Sequence, residues 1–470
     1  MTSIYSSNLA PGGALDLQSL RNRLSGDIIV PGDAGYEAAR RVSNLGFDRH
    51  PWTIVRALTA ADVVQAVRFA RLHRLPLAVR GGGHSVAGHS TADGAVVVDL
   101  SGMRAVSIDP GNHTARVQAG GRSIDLAGPA HAYGLALSTG DTATVGIGGL
   151  TLGGGIGWMV RKYGLAIDNL IEAQVVTADG RLITTNAKQH SELFWAIRGG
   201  GGNFGIITEY TFRLAPVGAV YGGAIVLPAT PEVVRGYLQI AKEAPDELST
   251  IAQVMHAPPA PFIPEERLGE LVFMVMVCFT GDAEAGERAI APFRALAEPV
   301  AEMVGEMPYP AMFNLTEAAA QPHAAEVRSF FTDDLPGDGI ESIIDAVGKA
   351  TSPMSMVQLR VLGGAVRHVA DGETAYAHRD RDYFVAVLGL WLDPSEDGAP
   401  HRAWTQAAWD SIKQYRQGVY VNFLADEGED RIHEAYPAAT YERLAQVKAQ
   451  YDPENIFQFN QNIRPAIRQV

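Results

Sequence analysis

The sequence predicts an α+β protein in which a glycine-rich domain is interrupted by a second domain and completed by the C-terminus. Three observations carry this reading. Short strand and helix patterns alternate around glycine clusters through residues 1–215. Glycine then thins and longer strand and helix patterns appear over 216–415, before residues 416–470 return to a motif-bearing style. The length of 470 residues suits two or three domains at about 150 residues each.

Composition narrows the function classes. With 47% hydrophobic and 19% charged residues the chain has ample apolar surface for a core, which excludes disorder as a description of the whole. Lys plus Arg number 38 against 52 Asp plus Glu, a net charge of −14. Such an acidic surface repels phosphate backbones and anionic lipid, so neither nucleic acid nor a membrane is an expected partner. No apolar run approaches the length of a membrane span. The opening MTSIYSSNLAPGGALDLQSL lacks a basic patch followed by an apolar stretch, so no signal peptide reads there and a cytoplasmic location is expected. The single cysteine, Cys278, continues the apolar run from Phe273 to Val277 and reads as core, with no intrachain disulfide possible.

In chain order, Thr59 with Asp62 makes a capping-box-like start, and Val63, Val67 and Ala70 recur at helical spacing up to Arg74. Pro76 ends that helix and Leu77-Ala78-Val79 reads as a buried strand. It runs straight into Arg80-Gly81-Gly82-Gly83-His84-Ser85. Strand patterns at 95–100 and 115–119 follow, then a helical stretch from about Ser123 to Tyr133. Gly140 to Trp158 holds too much glycine for a regular helix or strand. A hairpin is expected around Asp179-Gly180, a helix from Glu192 to Ile197, and a strand from Ile206 to Leu214. Beyond Pro216 come a helix at Pro231 to Ala241, strands at Leu271 to Phe279, Met356 to Leu362 and Phe384 to Leu392, and a Pro-rich surface loop at Pro258 to Pro264.

The glycines carry the functional signal. There are 50, about half again the usual ~7% share, and they cluster at 81–83, 146–157 and 199–205. Consecutive glycines after a strand expose backbone N–H groups that cradle phosphate, although one such run alone is usually a tight turn. Three separate clusters point to an extended phosphate-bearing ligand, and a dinucleotide has that shape. Residues 200–205, GGGNFG, match G-x-G-x-x-G but follow a helix and precede a strand, the reverse of the nucleotide fingerprint. No Walker-type loop occurs, and Gly83 to Gly88 misses the hydrolase elbow G-x-S-x-G by one residue. His84 and His89 share a loop without an evident third metal ligand, so no metal site is expected.

Taken together, RGGGHS at 80–85, VGIGG and LGGGIGW within 145–158, YGLAIDN at 163–169, LFWAIRGGGGNFG at 193–205, and DPENIF with NQNIRP within 452–465 resemble one family. It comprises the covalent-flavin oxidases that include berberine bridge enzyme, cannabinoid synthases, oligosaccharide oxidases and bacterial hydroxynicotine oxidases, the last being nearest in style. The resemblance implies a vanillyl-alcohol-oxidase type FAD-binding domain in two α+β lobes. A substrate domain with an antiparallel sheet covered by helices accompanies it. It further implies that His84 bonds covalently to FAD while Arg80, Gly81, Gly82, Gly83 and Ser85 hold the pyrophosphate. Gly146, Gly149, Gly153, Gly154 and Gly157 would pass along the flavin, the backbone near Val176 would meet the adenine, and Gly205 and Ile207 would form the last flavin-contacting segment. Asn460 and Asn462 match positions that close the cofactor site.

Three departures refine the expectation. Many members carry a second flavin bond from a cysteine where this chain has Thr142, and a hydroxyl cannot replace thiolate chemistry, so a single link is expected. The position associated with oxygen access is Val145, small enough to leave room for O2, which favours an oxidase releasing H2O2. Tyr420-Val421-Asn422-Phe423 matches a stretch whose last residue often serves as base, and phenylalanine cannot accept a proton. An alcohol needs its O–H proton removed as hydride departs, whereas the nitrogen lone pair of a neutral amine drives that departure unaided. The expected substrate is therefore an amine or a hydrophobic secondary metabolite. A sugar or alcohol oxidase would need a substitute base, and a flavin-binding protein with little turnover is the remaining alternative. Tyr420 either supplies the missing chemistry or packs the domain seam. On the strand from Met356, alternation sets Gln358 and Arg360 on one face, which either lies in solvent or lines the pocket with Arg360 holding a carboxylate or phenolate.

Overall fold

The computed structural model describes residues 17–467; most of the N-terminal stretch read for a signal peptide lies outside them. The first layer is a four-stranded sheet ordered Asp27–Ile29, Thr53–Arg56, Val96–Asp99, Leu77–Arg80. Its last three strands run parallel, and the helix Ala60–Leu72 makes the crossover. That helix starts where Thr59 accepts from the Asp62 backbone N–H and Asp62 accepts from that of Thr59, a reciprocal cap worth about 1 kcal/mol. The second layer is a five-stranded antiparallel sheet of Val106–Asp109, Thr114–Gln118, Ile206–Arg213, Leu170–Val176 and Leu182–Asn186. A shared core joins the two through Val67, Ala70, Val98, Val117, Val175 and Tyr210.

The strands between Ala219 and Trp391 build a separate seven-stranded antiparallel sheet. Helices Pro231–Glu243, Ala283–Arg294, Gly337–Gly348 and Ala399–Ile412 contribute to the core on one of its faces. Thr230 caps the first of these, Pro231 occupies its N1 position, and Val233, Val234, Tyr237 and Leu238 are its buried stripe. The opposite face looks toward the glycine-rich domain. Cys278 is fully buried there. Among the described residues no helix is long and apolar enough to cross a membrane.

One expectation fails in the middle of the glycine block. Residues Ile147–Gly153 form an α-helix, although glycine disfavours helix by about 1 kcal/mol per residue. Tertiary contact overrides the propensity. A Cβ on Gly148 would lie 2.5 Å from the Ala119 carbonyl oxygen, and Ile147 is wholly buried beside it. The glycines here let a helix press against neighbouring backbone.

The C-terminal segment returns to the first domain and fastens its last glycine loop. Lys448 Nζ lies 2.6 Å from Asp452 Oδ2 with both side chains at 0% exposure. The same ammonium donates to the carbonyls of Asn203 and Phe457, while Asp452 accepts from the backbone N–H groups of Ile456 and Phe457. This arrangement satisfies every hydrogen of the buried cation, which is the condition for a buried charge to be tolerated.

Candidate active site

A cavity of ≈ 430 Å³ runs between the glycine-rich domain and the face of the seven-stranded sheet opposite its helices. All three glycine clusters reach it. Gly81, Gly82 and Gly83, at the end of the strand Leu77–Arg80, line it together with His84 and Ser85. Thr142, Val145, Gly146 and Gly149 line a second side. Gly201, Gly202, Gly205 and Ile207 line a third, and Asn460 closes it from the C-terminal segment.

Two glycines explain why the loops meet. A Cβ on Gly82 would sit 2.3 Å from the Gly146 nitrogen, and one on Gly146 would sit 2.3 Å from the Gly82 nitrogen. Only hydrogen at both positions lets the two backbones touch. Gly149 and Gly202 are different, because a Cβ there would meet nothing within 4 Å. The space they leave belongs to the cavity, so these glycines keep room for a ligand.

Several expected ligand contacts lie elsewhere. The Arg80 guanidinium points away from the cavity lining, pairing with Asp99 at 2.8 Å and with the Arg41 carbonyl. That buried pair fixes the strand end from which the glycine loop departs. Gly153, Gly154 and Gly157 are also outside the lining; their missing side chains make way for Asn422, for Tyr376 with Tyr420, and for Gly140 respectively. Val176 pairs with Ile206 across the five-stranded sheet and does not line the cavity, nor does Asn462.

His84 is neutral in this setting, because burial lowers its pKa to about 4. Its Nε2 lies 3.0 Å from Thr144 Oγ1, and that hydroxyl donates to the Ala320 carbonyl. A hydroxyl has one proton to give. When it is given to Ala320, Thr144 accepts from Nε2–H and the imidazole lone pair is on Nδ1. His89, in the same loop, is likewise lowered to about 4 by burial. Its Nε2 and Asn460 Oδ1 are buried without partners among the described residues, and both residues line the cavity. Buried polar atoms left open cost free energy unless a ligand completes them.

The opposite wall comes from the strand Met356–Val361. Val357, Leu359 and Val361 point into the helix-covered core, so alternation turns Gln358 and Arg360 into the cavity. Arg360 Nη2 lies 2.5 Å from Asp141 Oδ2 and its Nε donates to Gln358 Oε1 at 2.7 Å. Asp141 carries no local signal in the sequence, since its partner is 219 residues away. It changes the reading of Arg360, whose charge is already matched by a carboxylate.

Tyr420 sits at the seam and in the lining at once. Its ring packs with Phe384, Tyr376 and Phe423, and its hydroxyl accepts from Gly155 N and Asn422 Nδ2, each at 2.8 Å. The hydroxyl's own proton has no acceptor among the described residues, and burial raises its pKa above the ordinary phenol value. Tyr420 is therefore a hydrogen-bond donor and a poor base. Phe423 lies beside it, with the Arg360 guanidinium 5.6 Å from its ring centroid.

Comparison with known proteins decides the family. Residues 51–186 match an FAD binding domain and residues 419–464 match the family described as berberine and berberine like. The (R)-6-hydroxynicotine oxidase of Paenarthrobacter nicotinovorans is 33% identical over 468 residues, covering 94% of this chain and 97% of its own. The chain belongs to the berberine bridge enzyme-like FAD-linked oxidoreductases. An FAD-linked oxidoreductase of Bacillus subtilis is 31% identical, covering 96% of this chain and 99% of its own. The crystal structure of 6-hydroxy-D-nicotine oxidase from Arthrobacter nicotinovorans superposes with a TM-score of 0.84 at 29% identity, covering 94% of this chain and 98% of the other. This berberine bridge enzyme-like chain thus has an FAD site, and the cavity fits it: open glycine positions, unpaired buried polar atoms and converging loops all call for an extended polar ligand.

Proposed function

We propose that the protein is an FAD-dependent oxidase whose cofactor is attached through His84. It takes hydride from a neutral amine or a hydrophobic secondary metabolite and returns the electrons to O2 as H2O2. The observation that carries this is His84 itself, neutral and lining the cavity among the glycine loops. The thiol of a second attachment is absent, since Thr142 occupies that position and its hydroxyl is bonded to Asp141.

When bound, the FAD supplies a two-electron acceptor and its connection to O2. The chain does the rest. The glycine loops admit the cofactor, Val145 leaves space at the cavity wall, and Tyr420 offers a hydroxyl proton to a ligand. Because Phe423 lines the cavity where a base would stand and Tyr420 holds its proton, a substrate that needs no base is favoured. In a neutral amine the nitrogen lone pair pushes hydride off the adjacent carbon and leaves an iminium cation, whose N–H proton then passes to water to give the imine. The likeness to a hydroxynicotine oxidase supports a nitrogenous substrate.

Acid precipitation of the purified protein tests the attachment: yellow colour stays in the wild-type pellet and is lost from that of His84→Ala. Peroxide release across an amine panel and a carbohydrate panel tests the substrate class. Turnover confined to carbohydrates would overturn the amine reading.

A further inference from the structure

Among the side chains lining the cavity, Asp141 and Arg360 are the only carboxylate and the only guanidinium, and no lysine joins them. Both histidines of the glycine loop are neutral there. The two charges face one another at 2.5 Å, with side chains 16% and 5% exposed, so they cancel on the wall they share; His323 also lines the cavity, on the side of His84. What the pair leaves over is a set of donors. Gln358 Oε1 accepts from Arg360 Nε, which points its amide N–H groups elsewhere. Neither those N–H groups nor Arg360 Nη1 has a partner among the described residues. Asp141 Oδ1 already accepts the Thr142 hydroxyl.

We infer that this wall recognises a neutral hydrogen-bond acceptor, an amide or ketone carbonyl on an otherwise apolar substrate, and that Asp141 sets the specificity by refusing carboxylates. A lone buried guanidinium would demand an anion. Here Asp141 is that anion, and a ligand carboxylate would bring a second negative charge beside it in a poorly hydrated space. A carbonyl accepts from Arg360 Nη1 and Gln358 without that penalty, and Met356, Leu388 and Leu390 line the same cavity with apolar surface. The inference rests on the proposed reading that cofactor and substrate share this cavity.

Three isosteric probes separate the possibilities: benzamide, neutral; benzoate, anionic; and benzamidine, cationic. Their dissociation constants are measured by titration calorimetry on the purified flavin-loaded protein at pH 7.5, without turnover. The wild type is expected to bind benzamide at least tenfold more tightly than either ion. Asp141→Asn uncovers the Arg360 cation and should bring benzoate ahead of benzamide, while Asp141→Glu restores the wild-type order. Arg360→Gln uncovers the opposite charge and should favour benzamidine, which keeps the question answerable if Asp141→Asn folds poorly. Equal binding of benzoate and benzamide by the wild type overturns the inference. So does an order unmoved by either charge-removing variant, or failure of all three probes to bind. Peroxide production plays no part in this readout. A protein that never releases peroxide yet follows the expected order would sink the oxidase reading alone.

Discussion

The Thr144 hydroxyl stands 3.0 Å from Nε2 of His84 and 3.3 Å from the Ala320 carbonyl, which can accept its hydrogen. With that hydrogen on Ala320 the hydroxyl accepts from Nε2–H, which favours the imidazole tautomer with Nδ1 unprotonated, the form able to bond to an electrophilic carbon through that nitrogen. Thr144→Val removes the acceptor for Nε2–H at nearly constant volume. Losing one such hydrogen bond costs about 1 kcal/mol, so covalent incorporation of flavin should slow roughly fivefold. Thr144→Ser keeps the hydroxyl and should keep the rate. The yellow fraction retained in acid pellets, sampled over time after FAD is added to flavin-free protein, measures it. Equal rates in Thr144→Val and wild type would remove Thr144 from the chemistry.

The same burial makes stability pH-dependent. His84 has a pKa of about 4 in the folded chain against an unfolded value of about 6.5. Between those values the unfolded chain binds a proton that the folded chain refuses. Folding stability therefore falls as pH drops from 6.5 toward 4 and is unaffected by this group above that window. In flavin-free protein, His84→Leu should flatten the slope by up to about 1.4 kcal/mol per pH unit. His89 shifts in the same direction and accounts for a second proton. Urea unfolding at pH 7, 5.5 and 4.5 gives the slopes.

Glycine substitutions should divide into two kinds. Gly82→Ala places a methyl 2.3 Å from the Gly146 nitrogen, forcing two backbones apart, and is expected to destabilise the protein by at least about 2 kcal/mol. Gly149→Ala meets nothing within 4 Å and lies within the helix Ile147–Gly153, where alanine is favoured by about 0.5–1 kcal/mol. It should raise the melting temperature of the flavin-free protein while lowering its flavin content, because its methyl intrudes on the cofactor's space. Flavin-to-protein absorbance ratios alongside thermal melts show whether the two effects separate.

How far these features could be read beforehand depended on how local their causes are. The Thr59–Asp62 cap, the hairpin about Asp179 and the alternation that turned Gln358 and Arg360 inward all follow from residues within a few positions of each other. The helix Ile147–Gly153 did not, because Gly148 answers to Ala119 and Gly153 to Asn422 rather than to helix propensity. The glycine motif marked the right loops but not the job of each residue. Gly82 and Gly149 look alike in sequence, and only the structure shows one touching backbone and the other bordering open space. Arg80 reads as a phosphate ligand until Asp99 is seen to occupy it. Asp141 was illegible for the same reason, since a carboxylate acquires its meaning from an arginine 219 positions on.

Val145 lines the cavity and is partly exposed within it. Val145→Leu adds one methylene and should slow reoxidation by O2 at least tenfold while leaving the flavin in the acid pellet. Stopped-flow mixing of reduced protein with oxygenated buffer gives the rate. Unchanged oxygen reactivity would show that O2 enters by another route.

Phe423 offers the reverse experiment, adding a function rather than removing one. Its ring stacks on Tyr420 at 5.9 Å between centroids and lies 5.6 Å from the Arg360 guanidinium. Phe423→Tyr would add a phenol to the cavity wall beside the Arg360–Asp141 pair. Tyr420 is a poor acceptor, because burial raises its pKa by more than Arg360 and its hydrogen bonds lower it. The variant therefore gains a proton acceptor at the cavity wall, the one group an alcohol substrate requires as hydride leaves. Peroxide release from hydrophobic alcohols should appear, with a rate that climbs with pH as the new phenol ionises. Amine turnover, which needs no base, should change by less than about threefold. If alcohols remain inert while amines still reduce the flavin, the absent base is not what restricts this protein to its substrates.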